Sequence, residues 1–175
     1  MQFITGVPSG ARLQAHIRTV NKALFESKGK KLEIVRDDEG EGIVVVMGVI
    51  PGTETVLSAN IRRVIRGIAE CWAEQLREHP LPPLYKSGVV YKPEPASNQC
   101  EVFSDPYTTY LLGFGDCDDL VIWRLAEVLA SGGQAWAQAM RKIGTTRYHV
   151  AVRMGDGSEE DPSIILYPGG FRRTG

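Results

Sequence analysis

An α+β fold is predicted for this 175-residue chain from three features. Segments of helical and of strand-like hydrophobic period occur in separate blocks rather than alternating. A proline-rich stretch parts the chain into two halves. The last third sets a long apolar helix pattern before a clean two-residue alternation.

The first half reads as an N-terminal α-β-β-α unit over residues 1–79. Leu13, Ile17, Val20 and Leu24 recur at helical spacing after Pro8 and Ser9, and Gly29 ends that helix. "KLEIV" and "GIVVVMGVI" read as two strands joined by the acidic, solvated turn "RDDEGEG". Pro51 and Gly52 break the chain. Val56, Ile61, Val64, Ile65, Ile68 and Trp72 then give an amphipathic helix over 53–78, with Thr53 as its cap. Arg62, Arg63 and Arg66 fall on the solvated face of this helix.

The second half, residues 80–175, carries every candidate site residue. "HPLPPLYKSGVVYKPEP" holds five prolines and is expected to be extended, irregular backbone. The segment "NQCEVFSDPYTTYLLGFGD" reads as a loop. A helix follows from about Cys117 to Ala130, stopped by Ser131, Gly132 and Gly133. "QAWAQAMRKI" alternates small and large residues as a strand does, and both Trp123 and Trp136 read as core. In "YHVAVRM", Tyr148, Val150, Val152 and Met154 face one way and His149, Ala151 and Arg153 the other. "GDG" makes a hairpin turn, "DPSIILYP" reads as a last strand, and "GGFRRTG" as a tail.

Composition narrows the function classes. The chain is 43% hydrophobic and 23% charged, with 20 Lys plus Arg against 21 Asp plus Glu. A net charge of −1 argues against nucleic acid or an anionic membrane as the main partner. The longest apolar run, Ile43 to Met47, is far short of a membrane span. The N-terminus lacks a charged start and a long apolar stretch, so no secretory leader is expected. Cys71, Cys100 and Cys117 are odd in number and widely spaced, which fits neither a disulfide framework nor a zinc site. A reduced, cytoplasmic environment is the expectation, with no metal or cofactor.

Cys117 stands apart from the other two cysteines. In "GFGDCDDLVIWRLAEVLASGG" it lies between glycines and acids at the start of a helix. A helix N-terminus stabilises a thiolate and leaves backbone N–H groups that can hold an oxyanion, that of Cys117 among them. Asp118 and Asp119 suit the helix dipole but oppose a thiolate, so activation must come mostly from a histidine. They are expected either to contact substrate, or to cap the helix or pair with Arg residues such as Arg124 or Arg147. Of the three histidines, His16 and His79 read as surface, while His149 lies on the polar face of a strand and can look across at another element. Asp161, on the segment returning from the "GDG" hairpin, is placed to orient that imidazole. Asp156 and Glu160 are rivals, with Asp156 consumed by the turn.

"GFGDCDDLVIWRLAEVLASGG", "YHVAVR" and "DPS" together resemble the transglutaminase-like cysteine peptidase superfamily. "LYKSGVVYKPEP" resembles the segment before that motif in transglutaminase-like proteins encoded by bacteriophages. The similarity covers roughly Leu84 to Leu166. It implies a papain-like C-terminal domain, in which a helix carrying the cysteine packs on an antiparallel sheet carrying His and Asp. It further implies Cys117 as nucleophile, His149 as base and Asp161 as orienter in acyl transfer on a peptide or carboxamide. A protein or peptide substrate follows, with other phage structural proteins as further partners and host cytoplasm or virion as setting. Tyr91, Gln99 and Tyr110 are candidates for the upstream oxyanion-hole side chain, and Tyr91 for substrate contact. Val150 stands where the family often has tryptophan. The rival is a virion or assembly protein that keeps the fold without the chemistry.

Other sites fit less well. "DCDDL" echoes the Asp-x-Asp of haloacid-dehalogenase-type phosphatases, but "LLGFG" is a poor strand and too few residues follow. Asp116, Asp118 and Asp119 offer calcium ligands at a spacing that does not fit an EF-hand. Gly113 and Gly115 lack the Gly-Lys-Ser/Thr of a phosphate loop.

Overall fold

The computed structural model describes residues 32–36, 43–48, 54–94, 100–141 and 148–168. The expected first helix, the acidic turn, Gln99, Arg147 and the C-terminal tail lie outside these residues. The described chain is mixed α plus β, with helices packed against three small sheets.

Strands β1 (Leu32–Arg36) and β2 (Ile43–Gly48) pair antiparallel, as their spacing predicts, and β2 pairs again with β4 (Cys100–Ser104) to give the order β1-β2-β4. Between them run α1 (Glu54–Glu78), a 3-10 turn at Leu84–Lys86 and β3 (Val90–Tyr91). The "loop" expected after residue 99 is instead β4, then α2 (Pro106–Leu112) and β5 (Phe114–Gly115). The reason is local. Asp105 caps α2, its carboxylate accepting the Thr108 N–H at 2.7 Å, and Pro106 occupies the first turn, where it loses no hydrogen bond. Gly113 ends α2 at φ 73°, a left-handed conformation that glycine adopts without strain.

Helix α3 (Cys117–Ala130) is the centre of the molecule. It packs against α1 and against the third sheet, built of β6 (Ala135–Arg141), β7 (Tyr148–Met154) and β8 (Glu159–Glu160) in that order, all antiparallel. Ile61, Val64, Ile65, Ile68 and Trp72 of α1 share one core with Val121, Ile122, Leu125 and Ala126 of α3 and with Ala135, Ala137, Val150 and Val152 of the sheet. Burial of each large aliphatic side chain here contributes about 1.5–3 kcal/mol. The division expected near His79 therefore does not separate two cores, because the apolar stripe of α1 is covered by elements of the second half.

Two further expectations change. The last strand region is α4 (Pro162–Ile165), opened by Asp161 as its cap. Trp136 is not core: it is 47% exposed, because β6 turns its alanines inward toward the helices and its large side chains outward. Arg66 of α1 donates to Ala135 O at 2.8 Å and Ser58 Oγ to Ala139 O at 3.3 Å, so side chains of α1 satisfy carbonyls of β6, at one end of the strand order. Arg66, read as part of a solvated stripe, thus also ties a helix to a sheet.

Candidate active site

Cys117 is the first residue of α3, partly buried against the main core. Asp116 is the cap: its carboxylate accepts the Asp118 N–H at 3.2 Å, and with Asp119 it completes a reciprocal capping box. Asp119 points inward. One of its oxygens accepts the Ser104 N–H of β4 at 2.6 Å and the other the Asp116 N–H at 3.2 Å. Asp118 accepts the Asp119 N–H at 2.9 Å and is only 3% exposed. Both carboxylates are thus used inside the fold, as the capping reading expects, rather than offered to solvent where a substrate would meet them. Arg124 does not reach them; it pairs with Glu160 and Glu127 instead.

Burial pushes the Asp118 and Asp119 carboxyls well above the usual carboxylate range, and the neighbouring Asp116 charge adds to the effect. Asp118 also hydrogen-bonds to Asp116. Oxygens of Asp116, Asp118 and Asp119 lie within 4.8 Å of one another and are the group best placed to hold a cation among the described residues. Four of the six carboxylate oxygens of these three residues already accept backbone N–H groups.

On the third sheet, His149 Nε2 and Asp161 Oδ2 are 2.6 Å apart. The hairpin register explains the meeting. Val152 pairs with Glu160 and Arg153 with Glu159, so one step further Asp161 stands across from Ala151, diagonal to His149 on the same face. The second Asp161 oxygen is held by Ser163, from Oγ at 2.6 Å and from N–H at 3.0 Å. Burial alone would raise the Asp161 carboxyl, but the hydrogen bonds from His149 and Ser163 and the charge of His149 outweigh it and hold it below its ordinary value. An ionised Asp161 can only accept, so His149 Nε2 carries the proton and Nδ1 is the basic nitrogen of the neutral ring.

Helix α3, which bears Cys117, packs on the strand that bears His149. Cys117, Val121, Arg124 and Val128 recur at i, i+4, i+7 and i+11, one stripe of the helix. Val121 shares one core with Val150 and Val152 of β7, and Cys117 and Val128 pack against that core. Arg124, two turns from Cys117, grips Glu160, the residue before Asp161, through Nε at 2.6 Å and Nη2 at 3.3 Å. The cysteine-bearing helix thus packs on the Val150 and Val152 face of β7, and by strand alternation His149 and Asp161 belong to the other face of the same sheet.

Tyr91 touches the segment before Cys117 and the segment after Asp161. β3 pairs parallel with β5, placing Tyr91 beside Gly115, two residues before Cys117. Its N–H donates to Leu166 O at 3.0 Å, just past α4, and its ring packs 6.0 Å from that of Tyr167. Gly115 itself has no room for a side chain, because a Cβ there would lie 2.9 Å from Asp119 Cβ and from Thr109 Cγ2. Tyr110 stacks edge-on against the buried Trp123 at 6.0 Å.

Sequence reasoning missed Trp136 and Met140. Met140 pairs directly with His149 and Trp136 with Arg153, so both belong to the face of the sheet that bears His149, and both are exposed. The strict alternation of alanines on β6 is the signal that could have revealed their direction. Among the described residues no helix is long and apolar enough to cross a membrane.

The fold and site define a mixed α+β protein in which a cysteine-headed helix packs on a sheet bearing a joined His–Asp pair. No protein family matches the chain, and neither a curated protein nor a solved structure does.

Proposed function

We propose that the protein is a thiol-dependent acyl-transfer enzyme with a papain-like, transglutaminase-type arrangement of Cys117, His149 and Asp161. The observation that carries this reading is the 2.6 Å His149–Asp161 contact on the sheet against which the Cys117 helix stripe packs. The Cys117 thiolate, formed by proton transfer to His149 Nδ1, attacks the carbonyl carbon of a peptide or side-chain carboxamide. The backbone N–H of Cys117, at the helix start beside the sulfur, contributes to holding the developing oxyanion. His149 returns the proton to the leaving amine as the C–N bond breaks, giving a thioester. Water, deprotonated by His149, then releases the acid, or an amine acceptor releases a new amide. Asp161 stays ionised throughout and holds the ring. The resemblance to phage-encoded proteins points to a protein substrate in host cytoplasm or virion.

A second reading, a phage assembly protein that keeps this fold without turnover, is favoured by the three carboxylates packed around the cysteine helix start.

The two separate on the rate of Cys117 alkylation by iodoacetamide across pH, followed by mass spectrometry. The enzyme reading expects reactivity to persist well below the free-thiol pKa of about 8.5 and to be lost in His149→Ala. Alkylation that titrates as an ordinary thiol in both proteins favours the assembly reading.

A further inference from the structure

Glu160 lies one residue before Asp161 and belongs to the opposite face of the hairpin, where it meets α3. Arg124 holds it with two guanidinium nitrogens, 2.6 and 3.3 Å from its two oxygens, a bidentate geometry that fixes direction as well as distance. The third Arg124 nitrogen donates to Glu127 at 3.1 Å, and Glu127 in turn accepts the Leu84 N–H at 2.6 Å. Tyr85 donates its hydroxyl to the same Glu160 carboxylate, and its ring lies 5.6 Å from the Arg124 guanidinium carbon. Three segments far apart in sequence, the proline-rich stretch, α3 and β8, therefore meet at one partly buried ionic cluster.

Its place on the helix gives the cluster its meaning. Arg124 is seven residues from Cys117, on the same stripe and about 10 Å along the axis. Glu160 is one residue from Asp161. The ion pair thus links the strip that carries the thiol to the segment that carries the orienting carboxylate, at the residues where a slip of either element would be felt at the site. β8 is only two residues long and lies at the end of its sheet, so strand pairing alone holds Asp161 weakly.

We propose that Arg124 and Glu160 form a positioning clamp that sets the His149–Asp161 pair in register with Cys117; this rests on the acyl-transfer reading of the site. Neither residue touches the reacting atoms. Their effect passes through β8 to Asp161 and from there to the imidazole.

The test compares wild type, Arg124→Ala, Arg124→Lys and the charge-reversed double variant Arg124→Glu/Glu160→Arg. Two readouts are taken: the pH profile of Cys117 alkylation by iodoacetamide, and the NMR signal of the His149 Nε2 proton. The clamp predicts that Arg124→Ala raises the apparent Cys117 pKa by about one unit, a tenfold loss of thiolate at acidic pH. It also predicts that the His149 proton signal broadens or disappears, and that charge reversal recovers both. Arg124→Lys, which keeps the charge but loses the fork, should fall between. If Arg124→Ala does not fold, Arg124→Lys decides on the same two readouts. An unchanged profile and an unchanged His149 signal in a folded variant would overturn the clamp. If wild-type Cys117 titrates as an ordinary thiol, the acyl-transfer reading fails. The clamp is then judged on the His149 proton alone, whose persistence without Arg124 overturns it.

Discussion

Asp118 and Asp119 open the cysteine-bearing helix, and Asp161 opens the short helix after the hairpin. All three are aspartates at helix starts whose oxygens accept backbone N–H groups, yet their carboxyls are driven in opposite directions. The first two are buried beside another acid, and are pushed up. Asp161 is half-buried, faces an imidazole and a serine hydroxyl, and is held down. Helix dipole and hydrogen bonding are common to both places; solvent access and the charge of the neighbour decide. The result is a pair of raised carboxyls at the start of the cysteine helix and a lowered one beside His149.

The contrast breaks most visibly at Asp161. Asp161→Ala should slow Cys117 alkylation at acidic pH by about ten- to a thousandfold, as the loss of a charge partner shifts a pKa by one to three units. An unchanged rate would detach Asp161 from the thiol. At the other end, Asp119→Ala strands the buried N–H groups of Ser104 and Asp116 and should cost about 2 kcal/mol or more in urea unfolding. Asp118→Asn keeps an acceptor for the Asp119 N–H while removing a buried acid, and should leave stability at pH 7 equal or higher.

The pH dependence of stability follows from the same opposition. Carboxyls raised in the folded state hold protons that the unfolded chain has released above about pH 3.9. Asp118 and Asp119 therefore make the protein less stable as pH rises from that value through their folded pKa. Asp161, depressed when folded, contributes stability above about pH 3.9 that is lost as pH falls through its folded pKa. Urea midpoints measured against pH should flatten on the higher side in Asp118→Asn and on the acid side in Asp161→Asn; the reverse assignment would refute the contrast. The smallest effect belongs to Arg153 and Glu159, an exposed pair at 3.8 Å, where Glu159→Gln should change stability by less than about 0.5 kcal/mol.

The parts of the molecule legible in the sequence are those where one period dominates. α3 and β7 stand at the bounds their patterns predict, and the "GDG" turn brings Asp161 to His149 as expected. The misreadings share a cause. "PYTTYLL" and "PSII" carry β-branched residues that weaken a helical reading, yet each is opened by an aspartate cap followed by proline. Trp136 faces outward because the closeness of α1 demands small residues on the inner face of β6. The partners of Arg124 lay outside any local pattern, since Glu160 is 36 residues away and meets it only through the fold.

The central claim is that Cys117 and His149 form a thiolate–imidazolium pair. Its most direct test is the ultraviolet absorbance of the thiolate against pH, taken as the difference between wild type and Cys117→Ser so that the remaining cysteines cancel. The account predicts an inflection well below the free-thiol value of about 8.5, returning toward that value in His149→Ala. An inflection at or above it in the wild type, unmoved by loss of the histidine, would contradict the claim.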